Sequence, residues 1–453
     1  MKRFVNRGGL FFFLTLSIFT ACRSGRSPES DLKDCNIILI SIDTLRADHL
    51  HCYGYERETS PNIDRVASES IVFENAVSQS AWTLPAHASM MTGLLPSEHG
   101  LIFYDNEGLN NMKEFGTLDG NITTLAEILK TFAYTNVSYN GGAWIDPAFG
   151  LRQGFDLYRW GGRYFKYNVP KSIGWIKANP GKKFFLFLHA FDVHAPYNAS
   201  PEFNVFYKYR GPSKAEEITL DMIKSLESPE YEHIVSQYDA GIRRADHELG
   251  QLFELLDESG LSEKTILIIT SDHGEMLGER GKWDHIYPLY EELIRVPLII
   301  KIPGFKRAAI KGQVPAMTSI LPTVLDILGI PFDKDVMKNS LMPLIRGRDA
   351  RFDVIISETG RIKRHRLCRA IRMEKWKLVY YEEANRKPRI ELFDLENDPK
   401  EQQEVSKQNP QVTKELLDRL LSFQGSRRYE TIKKKIDQRT LEQLKSLGYI
   451  QEK

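Results

Sequence analysis

Residues 36–42, NIILISI, form a continuous apolar run that ends at Asp43. A run of this length, rich in isoleucine, is typical of a strand buried on both faces of a parallel sheet. The same plan recurs in residues 264–271, KTILIITS, and in residues 183–189, KFFLFLH. We therefore predict three buried strands with polar residues at or just beyond their carboxyl ends.

Helical patterns separate these strands. Residues 123–132 and 236–259 carry apolar side chains at three- and four-residue spacing, and Gly260 stands where the second helix would end. Strands that alternate with helices favour a doubly wound α/β sheet. Residues 165–232 are aromatic and are predicted to be rich in loops, which makes them a place for substrate-specific insertions.

The chain has 453 residues, more than one hydrophobic core usually holds, so we expect a second, smaller unit. Residues 369–381 and 389–395 alternate in the manner of antiparallel strands, and residues 411–423 and 437–447 are amphipathic. These patterns predict a small antiparallel subdomain with C-terminal helices over residues 346–453.

The N-terminus resembles a bacterial lipoprotein signal. Basic residues precede an apolar run at residues 10–19 that is too short to span a bilayer, and small residues stand before Cys22. We predict a signal peptide over residues 1–22, a lipid on Cys22 that binds the membrane, and a polar tether over residues 23–34. The protein would then be exported and anchored in the cell envelope, in the periplasm or on the outer surface. The alternative is an uncleaved anchor or an ordinary secretory signal.

Charge and cysteine content exclude some partners and sites. Lys and Arg number 61 against 60 Asp and Glu, which gives no field strong enough to imply nucleic acid as a partner. Any attraction for an anionic substrate must therefore be local. Beyond Cys22, the cysteines Cys35, Cys52 and Cys368 show no short spacing, which argues against a disulfide framework or a cysteine metal site.

Asp43, Asp272 and His273 each follow a predicted buried strand. Because open α/β sheets place their ligands at the carboxyl ends of strands, the fold could bring these three residues together. Two carboxylates and an imidazole suit Zn, Mn or Fe better than Ca, which prefers oxygen ligands. A strand-end aspartate taken alone can equally be a helix cap or a turn residue.

Residues 80–93, SAWTLPAHASMMTG, place Thr83 two residues before Pro85. The residues that follow have helical composition, so Pro85 fits the first turn of a helix. The Thr83 hydroxyl would then lie at the positive end of that helix, where an anionic ester is also attracted. A nearby divalent cation would activate the hydroxyl as a nucleophile. The alternative is that Thr83 only caps the helix.

Five segments, from residue 36 to about residue 397, resemble the sulfatase family of the alkaline phosphatase superfamily. In chain order they are NIILISIDTLRADHLHCYGY, WTLPAHASMMTG, HAFDVHAPY, TSDHGEMLGERGKWDH and YEELIRVPLII. Several long motifs in the family's order are far more specific than one short match. The resemblance implies an α/β/α sandwich like that of alkaline phosphatase over residues 35–345, followed by the small antiparallel subdomain.

The resemblance also implies roles for single residues. It makes Thr83 the nucleophile and lets His194 contact the ester oxygens or the leaving group. His285 and Lys282 stand where family members place a basic residue on the transferring group, which would stabilise charge on its oxygens. The implied ligands of one divalent metal ion are Asp43, Thr83, Asp272 and His273.

Several positions depart from the family pattern. Thr83 replaces the Cys or Ser that sulfatases oxidise to formylglycine, and its β-methyl group prevents that oxidation, although its hydroxyl can still attack phosphorus or sulfur. His87 replaces the supporting arginine and could contact Thr83 or a nonbridging oxygen. Asn140 is predicted to fill part of the space of a missing Lys-x-His pair. Thr44 replaces a second aspartate and His273 a frequent asparagine, and both changes resemble the phosphonate and phosphate diesterase branch.

We therefore predict a metal-dependent hydrolase in which Thr83 attacks a phosphate, phosphonate or sulfate ester of a small molecule, glycan or lipid headgroup. His194 or His285 would donate or accept the proton. One alternative is a transferase acting on envelope lipid or glycan, and another is a lipoprotein that binds an anionic glycan or lipid without turnover. A second metal ion held by Asp192, His194 and His285 is an alternative to the single-metal site.

Overall fold

The computed structural model describes residues 32–104, 115–197, 199–206, 228–283, 285, 288–361, 366–423, 429 and 432–447. The predicted signal peptide, Cys22 and most of the predicted tether lie outside these residues. Within the described ranges, no helix is both long enough and apolar enough to cross a membrane.

The strands agree closely with the sequence-based prediction. The three predicted buried strands are β1, β7 and β8, and their observed ends differ from the predicted ends by at most one residue. In chain order the strands are β1 (Asn36–Ile42), β2 (Ile71–Val77), β3 (Phe103–Tyr104), β4 (Phe115–Thr117), β5 (Thr135–Tyr139), β6 (Leu157–Arg159), β7 (Phe184–Ala190), β8 (Thr265–Thr270), β9 (Arg295–Val296), β10 (Leu298–Lys301), β11 (Ala308–Pro315), β12 (Ile355–Arg361), β13 (Arg366–Arg372), β14 (Trp376–Glu383), β15 (Arg389–Asp394) and β16 (Ile432–Lys434).

Nine of these strands form one mixed sheet in the order β11-β2-β10-β8-β1-β7-β5-β6, with β9 paired to β2. The strands from β8 to β6 run parallel to one another, whereas β10 is antiparallel to both of its neighbours. Ser41 on β1 is level with His189 on β7 and Thr270 on β8. The carboxyl ends of three central strands therefore meet at one edge of the sheet.

The helices surround this sheet. In chain order they are α1 (Pro61–Ala67), α2 (Thr83–Thr92), α3 (Pro96–His99), α4 (Leu125–Thr131), α5 (Phe165–Ala178), α6 (Ser228–Glu258), α7 (Glu291–Ile294), α8 (Ala316–Leu328), α9 (Lys334–Met337), α10 (Met342–Ile345), α11 (Pro410–Ser422) and α12 (Gln438–Ser446). A capping box starts α4, because the Thr124 side chain accepts from the Glu127 amide while the Glu127 carboxylate accepts from the Thr124 amide.

One prediction was wrong. Residues 165–232 were expected to be rich in loops, yet their first part forms the 14-residue helix α5. Pro170 lies inside this helix, where proline removes one backbone hydrogen bond. The buried side chains Phe165, Val169 and Ile176 keep the helix in place, because they lie on one face and pack against the sheet.

The two faces of β1 belong to two separate hydrophobic cores. Ile37 and Leu39 pack with residues of α2 and α8, whereas Ile38 and Ile40 pack with residues of α5 and α6. This alternation follows from the two-residue repeat of a strand that is buried on both sides. The α/β/α sandwich predicted from the sequence is confirmed.

The C-terminal part forms the predicted antiparallel sheet, in the order β15-β14-β13-β12, and β3 adds to its edge in parallel with β12. The single alternating stretch at residues 369–381 is divided between β13 and β14, with a turn at residues 373–375. Helix α11 covers one face of this sheet with Leu416 and Leu420. Because β3 and β4 pair with strands of the C-terminal part, the domain boundary at residue 345 stays a prediction.

Candidate active site

The edge where β1, β7 and β8 end carries a cluster of buried polar side chains. Asp43 follows β1, and its amide donates to the Ala190 carbonyl at 3.1 Å, which extends the strand pairing by one residue. The Ser271 hydroxyl accepts from the Leu45 amide at 3.0 Å and donates to the His273 carbonyl at 2.6 Å. These bonds tie the two strand ends to each other.

Asp43, Asp272 and His273 are fully buried, and one ligand atom of each lies within 4.8 Å of the others. Thr83 joins them from α2. Its Oγ1 atom is 3.4 Å from Asp43 Oδ2 and 3.4 Å from His273 Nε2. The four residues predicted as metal ligands therefore lie in one place.

Thr83 does not act as a helix cap. The N-cap position of α2 is Trp82, Thr83 is the first helical residue, and no side chain caps this helix. The Thr83 hydroxyl instead points at a carboxylate and an imidazole. Its position at the positive end of a helix favours the approach of an anion.

The cluster carries the features expected of a cation site. Asp43 Oδ1 and Asp272 Oδ2 are buried and have no hydrogen-bond partner among the described residues. Burial raises the pKa of Asp43 to about 7 and also raises the pKa of Asp272. Burial alone would lower the pKa of His273, but the carboxylates of Asp272 and Asp43 outweigh it and raise that pKa. Because buried carboxylates need positive charge beside them, these oxygens, the imidazole and the Thr83 hydroxyl fit a divalent metal ion.

His87 supports this cluster from α2. Its Nδ1 donates to the Thr83 carbonyl at 2.8 Å, and its Nε2 accepts from the Ser41 hydroxyl at 3.1 Å. Nδ1 also lies 3.5 Å from Asp272 Oδ2. Burial lowers the pKa of His87 to about 4, so the ring is neutral at pH 7. His87 therefore fixes the backbone of the predicted nucleophile without adding a charge.

His189 supports the cluster from β7. Its Nε2 donates to Asp43 Oδ2 at 3.1 Å, and burial lowers its pKa to about 4. The ligand atoms of His87, His189 and Asp272 also converge within 4.8 Å. In that group, however, the Nδ1 of His87 already donates to a backbone carbonyl, which leaves the set around Thr83 as the better cation site.

A series of imidazole rings leads away from the cluster. The rings of His273 and His285 are 4.6 Å apart and those of His285 and His194 are 5.0 Å apart. The Nδ1 atom of His285 pairs with Glu275 Oε1 at 3.0 Å, which orients the ring. The His194 Nδ1 donates to the Ala195 carbonyl, and burial holds the His194 pKa well below its usual range. His194 is therefore neutral, with Nε2 as its accepting atom.

The alternative second metal set is not assembled. Asp192 Oδ1 accepts from Arg244 Nε at 2.9 Å, and Asp192 Oδ2 accepts from the Phe165 amide at 2.8 Å. Because both of its oxygens have protein donors, Asp192 holds α5 and α6 together. The structure does not place it with His194 and His285 as a ligand group.

Two further residues predicted to bind substrate, Asn140 and Lys282, lie at the margin of the cluster. The Asn140 amide is used within its own turn, since Nδ2 donates to Ser138 Oγ at 2.9 Å and Oδ1 accepts from the Gly142 amide at 3.0 Å. Lys282 is exposed and its Nζ lies 5.5 Å from the Tyr290 ring, facing the C-terminal sheet. Their roles in binding substrate stay predictions.

Sequence reasoning missed His189 and Glu275. The signal for His189 was present in the two-residue repeat, because Phe185, Phe187 and His189 lie on one face of β7. A buried histidine level with Ser41 at the end of that face lies beside Asp43. Glu275 had no such signal, because its partner His285 is ten residues away along an irregular segment.

Comparison with known proteins agrees with the fold. The family model named sulfatase matches residues 35–330. This chain belongs to the sulfatase family. A second model, the C-terminal region of N-sulphoglucosamine sulphohydrolase, matches residues 278–426. The predicted enzyme class is confirmed, and the chain is a hydrolase that acts on sulfuric or phosphoric ester bonds.

Individual sulfatases and a related hydrolase are similar over most of their length. An arylsulfatase of Clostridium perfringens is 26% identical over 437 residues, which covers 81% of this chain and 89% of that protein. An N-acetylglucosamine-6-O-sulfatase of Bacteroides thetaiotaomicron is 23% identical, with 86% of each chain covered. The crystal structure of a phosphonate monoester hydrolase of Agrobacterium radiobacter has a TM-score of 0.70 at 19% identity and covers 89% of this chain and 97% of that chain, which shows a shared fold.

Proposed function

We propose that this member of the sulfatase family cleaves phosphate, phosphonate or sulfate esters with the Thr83 hydroxyl as its nucleophile. One observation carries the proposal. The hydroxyl is buried, does not cap its helix, and lies 3.4 Å from both a carboxylate and an imidazole of the candidate metal cluster. A purely structural threonine at a helix start would bond to its own helix.

Asp43, Thr83, Asp272 and His273 would hold one divalent cation, with Zn, Mn or Fe favoured over Ca because of the histidine. When bound, such an ion supplies positive charge that lowers the pKa of a hydroxyl and offsets charge on ester oxygens. His189 holds the Asp43 carboxylate in place, and His87 holds the Thr83 carbonyl. Both are neutral, so they add no cation to the site.

The reaction takes two steps. In the first, Thr83 Oγ1 bonds to the phosphorus or sulfur atom, the bond to the leaving oxygen breaks, and the proton given up by Thr83 reaches the leaving oxygen through His285 or His194. In the second, water attacks the same central atom and the bond to Thr83 breaks. One proton of that water returns to Thr83 and the other leaves to solvent.

The threonine favours phosphorus esters within this family. A formylglycine hydrate carries two hydroxyls on one carbon, so it can expel sulfate by collapsing to an aldehyde. A threonine ester lacks the second hydroxyl, so it must be opened by water at the central atom. The similar arylsulfatase and N-acetylglucosamine-6-O-sulfatase point instead to sulfate esters, so both ester classes belong in the test.

The test is turnover of matched nitrophenyl esters by the metal-loaded full chain. The substrates are the sulfate, the phosphate monoester, the phosphodiester and the phosphonate. Thr83→Val keeps the shape of the side chain and removes the hydroxyl, and we expect a loss of about 10³-fold or more in kcat. Thr92→Val, at the other end of the same helix, is the control. Metal content by calorimetry should be retained in both variants, although Thr83→Val loses one ligand.

Each outcome of this test assigns a function to the chain. Phosphorus ester cleavage that depends on Thr83 supports the proposal in full, and cleavage of the sulfate alone restricts it to sulfate esters. Equal activity of Thr83→Val removes Thr83 from the mechanism. If no ester is cleaved in water but product forms when an alcohol is added, the chain is a transferase. If no product forms under either condition, a binding protein is favoured.

We also propose export and a lipid on Cys22, which rest on the N-terminal sequence alone. The test is mass spectrometry of the mature N-terminus and fractionation of cells that express the chain or its Cys22→Ser variant. Release of the variant from the membrane fraction supports the anchor, whereas equal retention of both forms contradicts it.

A further inference from the structure

The chain enters the described fold at the edge of the sheet that lies opposite the active site. The Lys183 Nζ atom, at the start of β7, donates to the Lys33 carbonyl just before β1 at 2.5 Å. The Tyr134 hydroxyl, just before β5, donates to the Cys35 carbonyl at 2.8 Å. Because β1, β5, β7 and β8 are parallel, their starts share one edge, which we call the amino edge. β1 has seven residues, so the amino edge lies about 23 Å from Asp43.

One exposed aromatic side chain stands on the amino edge. Phe132 lies in the turn between α4 and β5 and is 44% exposed. The turn is fixed, because the amides of Phe132 and Tyr134 both donate to the Leu129 carbonyl. The Thr135 amide donates to the Lys183 carbonyl at 2.9 Å, which places this turn beside the start of β7. The fold therefore presents the Phe132 ring to the solvent close to the point where the chain enters.

The amino edge is also basic. The charged residues in the turns that precede β1, β7 and β8 are Lys33, Asp34, Lys182, Lys183, Glu263 and Lys264. All of them except Lys183 are exposed, and their net charge is +2, against +1 for the whole chain. Nearby Lys130 is not counted, because it is paired with Asp156 at 2.6 Å. An aromatic ring among lysines suits the surface of an anionic bilayer, where the ring enters the headgroup region and each lysine strengthens the attraction about fivefold.

The length of chain before the fold agrees with such a contact. Cys22 stands ten residues before Leu32, a separation that the chain can span up to about 35 Å. A lipid on Cys22 would keep the amino edge within reach of the bilayer. The basic and aromatic side chains would then decide which side of the protein faces it.

We propose that the amino edge, through Phe132, Lys33, Lys182 and Lys264, rests on the surface of an anionic lipid bilayer. The inference goes beyond the proposed ester hydrolysis and rests on the lipid proposed for Cys22. The active site then opens into water on the side away from the bilayer. Its ester would be one that arrives from solution, not a headgroup of the same membrane.

The test is hydroxyl-radical footprinting of the mature full chain, purified from membranes and reconstituted into vesicles. One set of vesicles contains phosphatidylglycerol, and the other contains only phosphatidylcholine. Oxidation of Phe132 should be at least about threefold lower in the anionic vesicles. Tyr167 is the internal control, because it is 48% exposed in the first turn of α5, about 20 Å from the end of α5 that leads to Lys182. Its oxidation should be equal in both lipids.

Two variants then test the charge. Lys182→Glu should remove most of the protection of Phe132, because it reverses one exposed charge of the amino edge. Lys166→Glu makes the same change at the other end of α5 and should keep the protection. Equal oxidation of Phe132 in the two lipids, or an equal effect of Lys166→Glu, would overturn the proposal. Equal protection in detergent would assign the amino edge to residues 23–31 of the chain itself and would also overturn it.

The outcomes separate this inference from the proposals on which the function rests. Footprinting needs no turnover, so a failure of the proposed chemistry leaves the result unchanged. The mass of the N-terminal peptide in the same sample reports the lipid on Cys22. Its absence would overturn the anchor and this inference together, whereas a lipidated chain without protection of Phe132 would overturn this inference alone.

Discussion

Replacing Lys377 by methionine should strongly destabilise the protein. Lys377 is on β14 and is fully buried. Its Nζ lies 3.0 Å from Glu291 Oε1 and 2.8 Å from Glu401 Oε1. Glu291 also accepts from Arg372 through Nε and Nη2, both at 3.1 Å. Two cations thus balance two carboxylates where the C-terminal sheet meets α7.

The magnitude follows from the charge that Lys377→Met leaves behind. Removing one partner of a buried ion pair typically costs about 3–5 kcal/mol. The remaining carboxylate can escape by taking up a proton. Burial already raises the pKa of Glu401 from 4.5 to about 7 in the parent, and Lys377 is the main charge that lowers it, so Lys377→Met should raise this pKa further. Parent and variant then hold the same proton at pH 5, and the proton-linked part of the loss grows above pH 7 by up to about 1.4 kcal/mol per pH unit. The loss of stability should therefore reach about 3–5 kcal/mol at pH 9 and be smaller at pH 7.

The sign is consistent with proton linkage. Above pH 7, the folded variant holds a proton on Glu401 that the folded parent has released. Stability of the variant therefore falls relative to the parent as pH rises from 7 towards 9. The assay is urea unfolding at both pH values.

The control is Lys375→Met, which changes an exposed lysine just before the same strand, paired with Glu396. It should cost less than about 1 kcal/mol. The double variant Lys377→Met/Glu401→Gln should regain much of the loss, since the unpaired charge is then gone. Equal costs of Lys377→Met at pH 7 and pH 9, or a cost no larger than that of Lys375→Met, would refute the reasoning.

Three further outcomes are expected. Burial lowers the pKa of His99 to about 3, so the unfolded chain binds a proton that the folded chain does not, and His99 should contribute a fall in stability of about 1.4 kcal/mol per pH unit from pH 6.5 towards 3. His99→Gln should reduce the slope measured in urea unfolding by this amount, while His87 and His189 keep their own contributions. Glu275→Gln should change the pH profile of kcat, because Glu275, whose pKa burial raises to about 8, can then no longer gain or lose a proton beside His285. Gly141→Ala should cost about 1–3 kcal/mol, because its Cβ would lie 2.4 Å from the buried Phe191 ring.

Each of these three predictions has a matched control variant and a result that would contradict it. His51 is exposed, so His51→Gln should leave the acid slope unchanged, and equal slopes in all forms would contradict the role of His99. Glu263 is exposed, and Glu263→Gln should leave kcat unchanged. A Cβ on Gly174 of α5 meets no atom within 4 Å, so Gly174→Ala should be neutral or stabilising by about 0.5–1 kcal/mol. If Gly141→Ala behaves in the same way, the contact with Phe191 does not limit that position.

Strand ends were predictable from the sequence, and so was the cluster they carry. The apolar runs of β1, β7 and β8 are typical of buried strands, and parallel strands align their carboxyl ends. Asp43, Asp272 and His273 were therefore placed together without any knowledge of side-chain positions. Their convergence follows from topology, which a pattern of apolar residues encodes.

Residues that act through irregular segments were not predictable in this way. Arg163 precedes α5, a helix that the sequence did not indicate because Pro170 interrupts its pattern. Without that helix, nothing in the sequence indicates that the Arg163 carbonyl accepts from the amide of Phe191, 28 residues later. Glu275 and Lys282 show the same limit, since both follow β8 on one irregular stretch, yet one is buried against His285 and the other faces the C-terminal sheet.

The neutral histidines around the cluster give Thr83 a different setting from that of a formylglycine. An arginine at position 87 would bring a permanent positive charge to a helix start that already has a positive dipole. His87 instead uses one nitrogen to hold the Thr83 carbonyl and the other to accept from Ser41, and it stays uncharged. His87 and His189 are both neutral, whereas Asp272 and Asp43 raise the pKa of His273, so His273 is the imidazole that can carry positive charge beside these carboxylates. Under the proposed function a bound cation would supply the remaining positive charge. Under the proposed function, the replacement of formylglycine by threonine and of arginine by histidine would form one coherent change, in which activation of the nucleophile shifts from the side chain's own chemistry to the metal cluster.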